Sequence, residues 1–256
     1  MCVSGDEGFD FCFCGFFNQL INMKRIFGFI VLIVVLLGVP PHTMTCSADH
    51  NRYYKSMSSG IPPIPYATWS ASYIASTSNS LDATDLIYTM NAGGGSRTII
   101  ATVGKTSGKY YWEFYLNTYT SGDQISVGLA SATHTCVTGM GYDAYSWSVG
   151  VVFSSPYKVN NTSFTSYGTL FAAGDVISVA PDYGSGSFNV YRNGTIVGSS
   201  PAWSGLSGTL YPAMGNSSST TNGYVATANF GQHAWDSRTA TLRATLAGSG
   251  YVMGLY

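Results

Sequence analysis

Acid–base chemistry needs paired carboxylates, or a histidine held beside one, and this sequence offers few of either. Of its 12 acidic residues only Glu7 and Glu113 are glutamates. A glycosidase needs two carboxyl groups ~5–5.5 Å apart for retention, or roughly 6.5–9.5 Å apart for inversion. Residues two apart on a strand share a face and could supply such a pair. No strand-like stretch holds an acidic residue with an acidic partner two or four positions on. Asp82 and Asp85 are three apart, Asp6-Glu7 precedes an apolar leader, and Glu113 stands alone in "YYWEF".

Other chemistries lack a partner in the same way. His134 and His233 are the histidines beyond residue 50, and neither lies in a triad pattern. Cys136, two residues from His134, would share its face on a strand. No third group nearby would orient the histidine as a base. "NAGGGS", Asn91 to Ser96, is glycine-rich but lacks the lysine and helix of a phosphate cradle. It reads as an inter-strand loop. Asp123, Asp143 and Asp182 could converge as oxygen ligands for calcium, but their spacing does not show that they do. The expectation is a non-enzyme with no catalytic residue, cofactor or metal.

The composition narrows the partners. Charged residues make up 9% of the chain, aromatics 14%, and the net charge is −1. Nucleic-acid binding calls for a basic footprint that is missing here. The aromatic and β-branched content is too high for disorder. Met23-Lys24-Arg25 precedes an apolar run from Ile26 to Val39, and Cys46-Ser47-Ala48 precedes Asp49. Basic start, apolar run and small residues in that order predict a secretory signal peptide over residues 1–48. The run would span about 21 Å as a helix, against ~30 Å of hydrocarbon. The expected location is secreted or cell-surface. Membrane contact would arise only through residues 26–39, if the leader is kept. Residues 1–22 put acidic residues and cysteines ahead of the basic start, so Met23 is the preferred first residue. Of the five cysteines, cleavage before Asp49 would leave Cys136 alone, so no disulfide is expected.

The elements that would position any site are strands. "SFNVYRNGTIVG", residues 187–198, is a hairpin with Asn193-Gly194 at its turn, the pair best suited to positive φ at both central positions. Tyr191 then faces Ile196, Val190 faces Val197, and Phe188, Val190 and Val197 share a core face. Further strands are predicted at 98–103, 110–116, 125–130, 150–153, 176–180, 211–214 and 225–230. Gly-rich or Ser-Gly turns separate them. Short strands without helical periodicity predict a β-sandwich or barrel. Asp236 to Ala247 is the one helix-like stretch, with Asp236 or Ser237 as its N-cap.

Seven segments in order carry a resemblance: "GKYYWEF" (108–114), "SVGLA" (126–130), "GYDAYSW" (141–147), "GDVISVAPD" (174–182), "FNVYRNG" (188–194), "LYPAM" (210–214) and "ANFGQ" (228–232). Together they resemble the SPRY domain, the core of B30.2 domains. "ATVGKTSGKYYWEF" and "NFGQ" look most like the bacterial and bacteriophage type. The resemblance implies an all-β, bent antiparallel β-sandwich, similar to concanavalin A-like lectins. Residues 66–233 would form it, after a Pro-rich linker at 49–65 and before a C-terminal extension at 234–256. Pro181 departs from the family pattern and predicts a strand end or bulge there.

The resemblance also implies a non-catalytic recognition module that binds a protein or glycan through inter-strand loops. Tyr119, Tyr145 and Trp203 are the candidate contacts, since exposed aromatics dominate binding hot spots. Trp147, inside a family segment, is assigned to the core. Two alternatives stay open: a phage or prophage virion component of tail-fibre type, and a glycoside hydrolase on a concanavalin-like fold.

Overall fold

The computed structural model describes residues 65–74, 79–91, 93, 95–120, 123–216 and 223–256. The leader, its cleavage point and the linker up to residue 64 lie outside them.

Among the described residues, short alternating segments become fourteen strands. They are β1 (Asn79–Leu81), β2 (Ile87–Met90), β3 (Thr98–Ile100), β4 (Tyr110–Tyr119), β5 (Ile125–Ser131), β6 (Ser146–Val152), β7 (Ser155–Asn160), β8 (Ser163–Ser166), β9 (Val176–Asp182), β10 (Ser187–Arg192), β11 (Thr195–Ile196), β12 (Leu210–Gly215), β13 (Tyr224–Asn229) and β14 (Val252–Met253). Among the described residues they form two sheets. The larger runs β1-β2-β13-β4-β9-β10-β11, and the smaller runs β3-β12-β5-β6-β7-β8. All these neighbours pair antiparallel. β14 alone runs parallel, along β4 at Tyr110 and Tyr111, past the point where β13 stops pairing. The expected antiparallel sandwich is therefore present.

The core lies between the sheets. Trp112, Phe114 and Leu116 of β4 face it together with Val127 and Leu129 of β5, Val149 and Val151 of β6, and Phe188 and Val190 of β10. On β13 the alternation is strict: Tyr224, Ala226 and Ala228 are buried and the residues between them are not. Burying a large apolar side chain in this way contributes ~1.5–3 kcal/mol. Trp69 stacks on Phe114 with ring centroids 5.5 Å apart, and Phe230 meets Trp69 edge-on at 5.2 Å.

The Asn193-Gly194 hairpin forms as its sequence predicts. Both turn residues have positive φ, 49° and 80°. Tyr191 pairs with Ile196, and the Val197 N–H donates to the Val190 carbonyl. The Asn193 side chain also serves as a brace. Its amide donates to Asp175 Oδ1 at 2.7 Å and its carbonyl accepts from the Val176 N–H at 2.9 Å.

Two expectations need correction. β9 does not end at Pro181, which pairs with Phe188 of β10. Phe188 directs its own N–H and C=O to the 202–203 segment, so the Phe188–Pro181 pair exchanges no main-chain bonds. The missing proline N–H falls on the β4 side. There the regular ladder stops at Val179 and resumes as a lone bridge between Lys109 and Asp182. Cys136, expected to be an unpaired thiol, is disulfide-bonded. That expectation presupposed removal of every other cysteine. Cys2, Cys12, Cys14 and Cys46 all precede residue 65 and lie outside the described residues.

Residues 234–256 pack onto the sandwich. Asp236 caps a 3-10 turn, Ser237–Thr239, by accepting from the Arg238 N–H, and α1 (Ala240–Gly248) follows. Leu246 packs on Tyr111 and Ala180 of the larger sheet. Leu255 is fully buried and its N–H donates to the Phe230 carbonyl at 2.7 Å.

Candidate recognition surface

The acid–base candidates are absorbed into structure. Glu113 is 3% exposed, on the face of β4 that the C-terminal segment covers. Its Oε1 accepts from the Tyr111 hydroxyl at 2.6 Å and from the Thr239 hydroxyl, and faces Arg243 Nη1 at 3.4 Å. Its Oε2 accepts from the Asp236 N–H at 3.3 Å. With its one proton given to Glu113, the Tyr111 hydroxyl oxygen accepts from the Ser178 hydroxyl at 2.9 Å. Burial, then the neighbouring Glu113 charge, pushes the Tyr111 hydroxyl well above its ordinary range. This carboxylate ties the C-terminal segment to the larger sheet through both of its oxygens.

His134 is buried, with Nδ1 2.7 Å from Asp143 Oδ2. Burial lowers its pKa; the Asp143 charge and hydrogen bond and the Thr138 main chain act in the opposite direction. Asp143 Oδ1 accepts from the Tyr145 N–H and the Ser146 hydroxyl, both at 3.0 Å. Serine, aspartate and histidine therefore meet in the wrong order for a triad, since the serine bonds the carboxylate and not the imidazole. Their bonds pin the 132–145 loop over the outer face of the smaller sheet. Asp123, Asp143 and Asp182 do not converge. Among the described residues no group of three or more His, Cys, Asp or Glu side chains is placed to hold a metal.

The three aromatic candidates are dispersed. Tyr119 ends β4 and is buried in the core, not exposed on a loop. Its hydroxyl donates to the Asp123 carbonyl at 2.7 Å, and burial together with the Asp123 charge pushes its pKa up to about 12. Tyr145 is 47% exposed, and its carbonyl accepts from the Ser131 N–H. Tyr119 precedes β5 and Tyr145 follows it, so the two sit at opposite ends of a strand about 20 Å long. Trp203 is half-buried at the edge of the sandwich. Its indole N–H donates to the Ser148 carbonyl at 3.0 Å, and Lys158 Nζ lies 4.9 Å from its ring centre. Trp147 is likewise half-buried, packed against the core.

The turn that carries Tyr145 brings in an aromatic cluster that sequence reasoning missed. The Asp143 carbonyl accepts from the Asn161 N–H at 2.9 Å, which docks the 142–145 turn onto the β7–β8 hairpin. Phe164 of β8 then lies 5.8 Å from Tyr142, 5.9 Å from Tyr157 and 6.0 Å from Phe153, ring centre to ring centre. Phe153 is 63% exposed and shares the β6–β7 turn with Ser154, both at positive φ (50° and 60°). A bulky side chain in that region is uncommon, and such strain concentrates at functional sites. Phe153-Ser154 carries no turn signature, so only the fold reveals it. Tyr142, Phe153 and Tyr157 gather around Phe164 into an aromatic surface on the outer side of β7 and β8, whereas Tyr145 precedes β6 and Phe153 follows it, so these two sit at opposite ends of that strand.

This arrangement can be set beside known proteins. The family model of the SPRY domain matches residues 109–233. Among solved structures, the SPRY domain of human HERC1 has the same fold. It is 22% identical, covers 61% of this chain and 94% of its own, and superimposes with a TM-score of 0.50. No curated protein matches the chain. The SPRY match starts at Lys109 and ends at His233, so it spans β4 to β13 and includes the whole aromatic surface.

Proposed function

We propose that this chain is an exported recognition protein whose SPRY domain binds a partner protein without chemical turnover. SPRY domains are in general protein-interaction modules, and the match over residues 109–233 carries the reading. The engagement of Glu113 and Asp143 in structural bonds supports it. The contact surface is the aromatic patch of Phe153 and Phe164 on the outer side of β7 and β8, with Tyr145 exposed at the far end of β6; Trp203 lies on the opposite face of the smaller sheet. Tyr119 contributes by supporting the core beneath. Export is supported by the leader pattern of basic start, apolar run and small residues.

Affinity capture from the native secretome, using full chain and a Tyr145→Ala/Phe153→Ala variant, tests the reading. A protein retained by wild type and lost from the variant supports it. Turnover of a glycan substrate, abolished by one Asp or Glu substitution, would overturn it. A virion-borne role is the competing proposal, favoured by the phage-type wording of "ATVGKTSGKYYWEF" and "NFGQ". Tail and baseplate genes beside this one would favour that role over export.

A further inference from the structure

We propose that the free edge of β8 receives an extended segment of a partner protein as an added strand. The inference rests on the protein-recognition reading and adds where and how the partner is held.

The register decides which main-chain groups are free. Asn161 and Thr162 form a two-residue turn with both residues at positive φ, 49° and 58°. Asn160 and Ser163, which flank it, are therefore a hydrogen-bonded pair, and the pairs alternate from there. Lys158–Thr165 is bonded; Val159–Phe164 and Tyr157–Ser166 are not. The next bonded position confirms the count, since the Tyr167 N–H donates to the Pro156 carbonyl at 3.0 Å. The N–H and C=O groups of Phe164 and Ser166 consequently point away from β7. β8 ends the smaller sheet, and no described residue hydrogen-bonds these four groups.

Exposed edges are normally blunted by a lysine, a proline, a bulge or a covering loop. β8 reads "SFTS" and has none of these; its four-residue length is the one restraint on what it can pair. Between residues 144 and 172 the single charged residue is Lys158. Its register with Val149 turns it to the opposite face, where it donates to the Ala202 carbonyl at 3.1 Å between the Tyr167 and Trp203 rings. An unguarded edge of N–H and C=O groups at strand spacing matches an extended peptide main chain, and a sugar presents no such ladder. Beside the edge, Phe164 and its aromatic neighbours would take every second side chain of the incoming strand. That segment should therefore alternate apolar with polar residues and carry little charge on its inner face.

The test uses the full chain and a displayed library of random twelve-residue peptides. Wild type should select peptides of alternating apolar pattern. Ser166→Pro removes one outward N–H at a position where an edge strand tolerates proline. It should weaken those peptides roughly tenfold, the loss expected for one or two main-chain bonds, with an unchanged melting curve. A second arm needs no variant to fold: N-methylation along the best peptide should weaken binding at alternate residues only. Selected peptides that bind Ser166→Pro as well as wild type, or show no alternation on N-methylation, would overturn the edge assignment and leave protein recognition standing. Selection of no peptide, with binding to neutral oligosaccharides instead, would overturn both. Self-association of wild type that Ser166→Pro abolishes would assign the edge to a second copy and also overturn the proposal.

Discussion

Gly194, at the tip of the β10–β11 hairpin, lies directly against the main chain of Arg238: a Cβ on the glycine would sit 2.7 Å from the Arg238 carbonyl oxygen. The same glycine has φ of 80°, so a side chain is opposed by backbone strain and by contact. Gly194→Ala should destabilise the fold by at least the ~1–2 kcal/mol of a left-handed Cβ. It should also speed amide exchange in α1, whose capping turn must shift. Denaturant titration with exchange mass spectrometry reads both. An unchanged midpoint would mean that hairpin and helix are not packed as described.

Glu113 is the one side chain that Tyr111, Thr239, Arg243 and the Asp236 N–H all address. Glu113→Gln keeps the shape but removes the charge and one acceptor. Breaking a buried pair typically costs about 3–5 kcal/mol, and the 17% exposure of the Arg243 side chain argues for the lower end. The expected result is a lowered melting temperature, with protection lost first in residues 236–255. Loss spread evenly over both sheets would contradict the anchoring role.

His134 gives the stability a pH dependence whose sign follows from its environment. Burial holds its folded pKa below the ordinary 6.5. The unfolded chain then binds the proton more readily, so the contribution is complete above 6.5 and declines as pH falls below it. Asp236 acts in a separate window. The Arg238 side chain holds its pKa below 3.8, so its contribution is lost only as pH falls through that lower value. Urea midpoints between pH 7.5 and 5 should fall in wild type and stay flatter in His134→Gln. Rising stability on acidification through this range would reverse the assignment.

Tyr119 and Tyr145 should separate cleanly. Tyr119→Ala empties a core position and should cost roughly 3–5 kcal/mol of stability. Tyr145→Ala trims an exposed ring and should change stability by no more than about 0.5 kcal/mol. Once a partner is identified, Tyr145→Ala should weaken binding by at least about 2 kcal/mol if the residue is a hot spot. Calorimetry on both variants measures this; equal melting losses would contradict the burial difference.

Local pattern alone was enough for much of this molecule. Asn193-Gly194 dictates its hairpin, because few residue pairs accept positive φ twice. Alternation on β10 and β13 names the core face, because a strand turns its side chains by two. Asp236 marks the start of the C-terminal helical segment, because its carboxylate meets the free N–H groups of a first turn. Those readings need only neighbours along the chain. Tertiary structure decided what depends on distant neighbours. Tyr119 and Tyr145 look alike in sequence, yet one lies between the sheets and the other outside. Phe153-Ser154 and Asn161-Thr162 carry no strong turn signature, so β7 and β8 were missed. The surrounding sheet holds both turns at positive φ, and the same register leaves Phe164 and Ser166 with unpaired main-chain groups. Pro181 stays in its strand because its missing N–H falls where β4 demands none. Glu113 lies in a conspicuous segment, but only the C-terminal segment folding back across β4 turns it from an acid into an anchor.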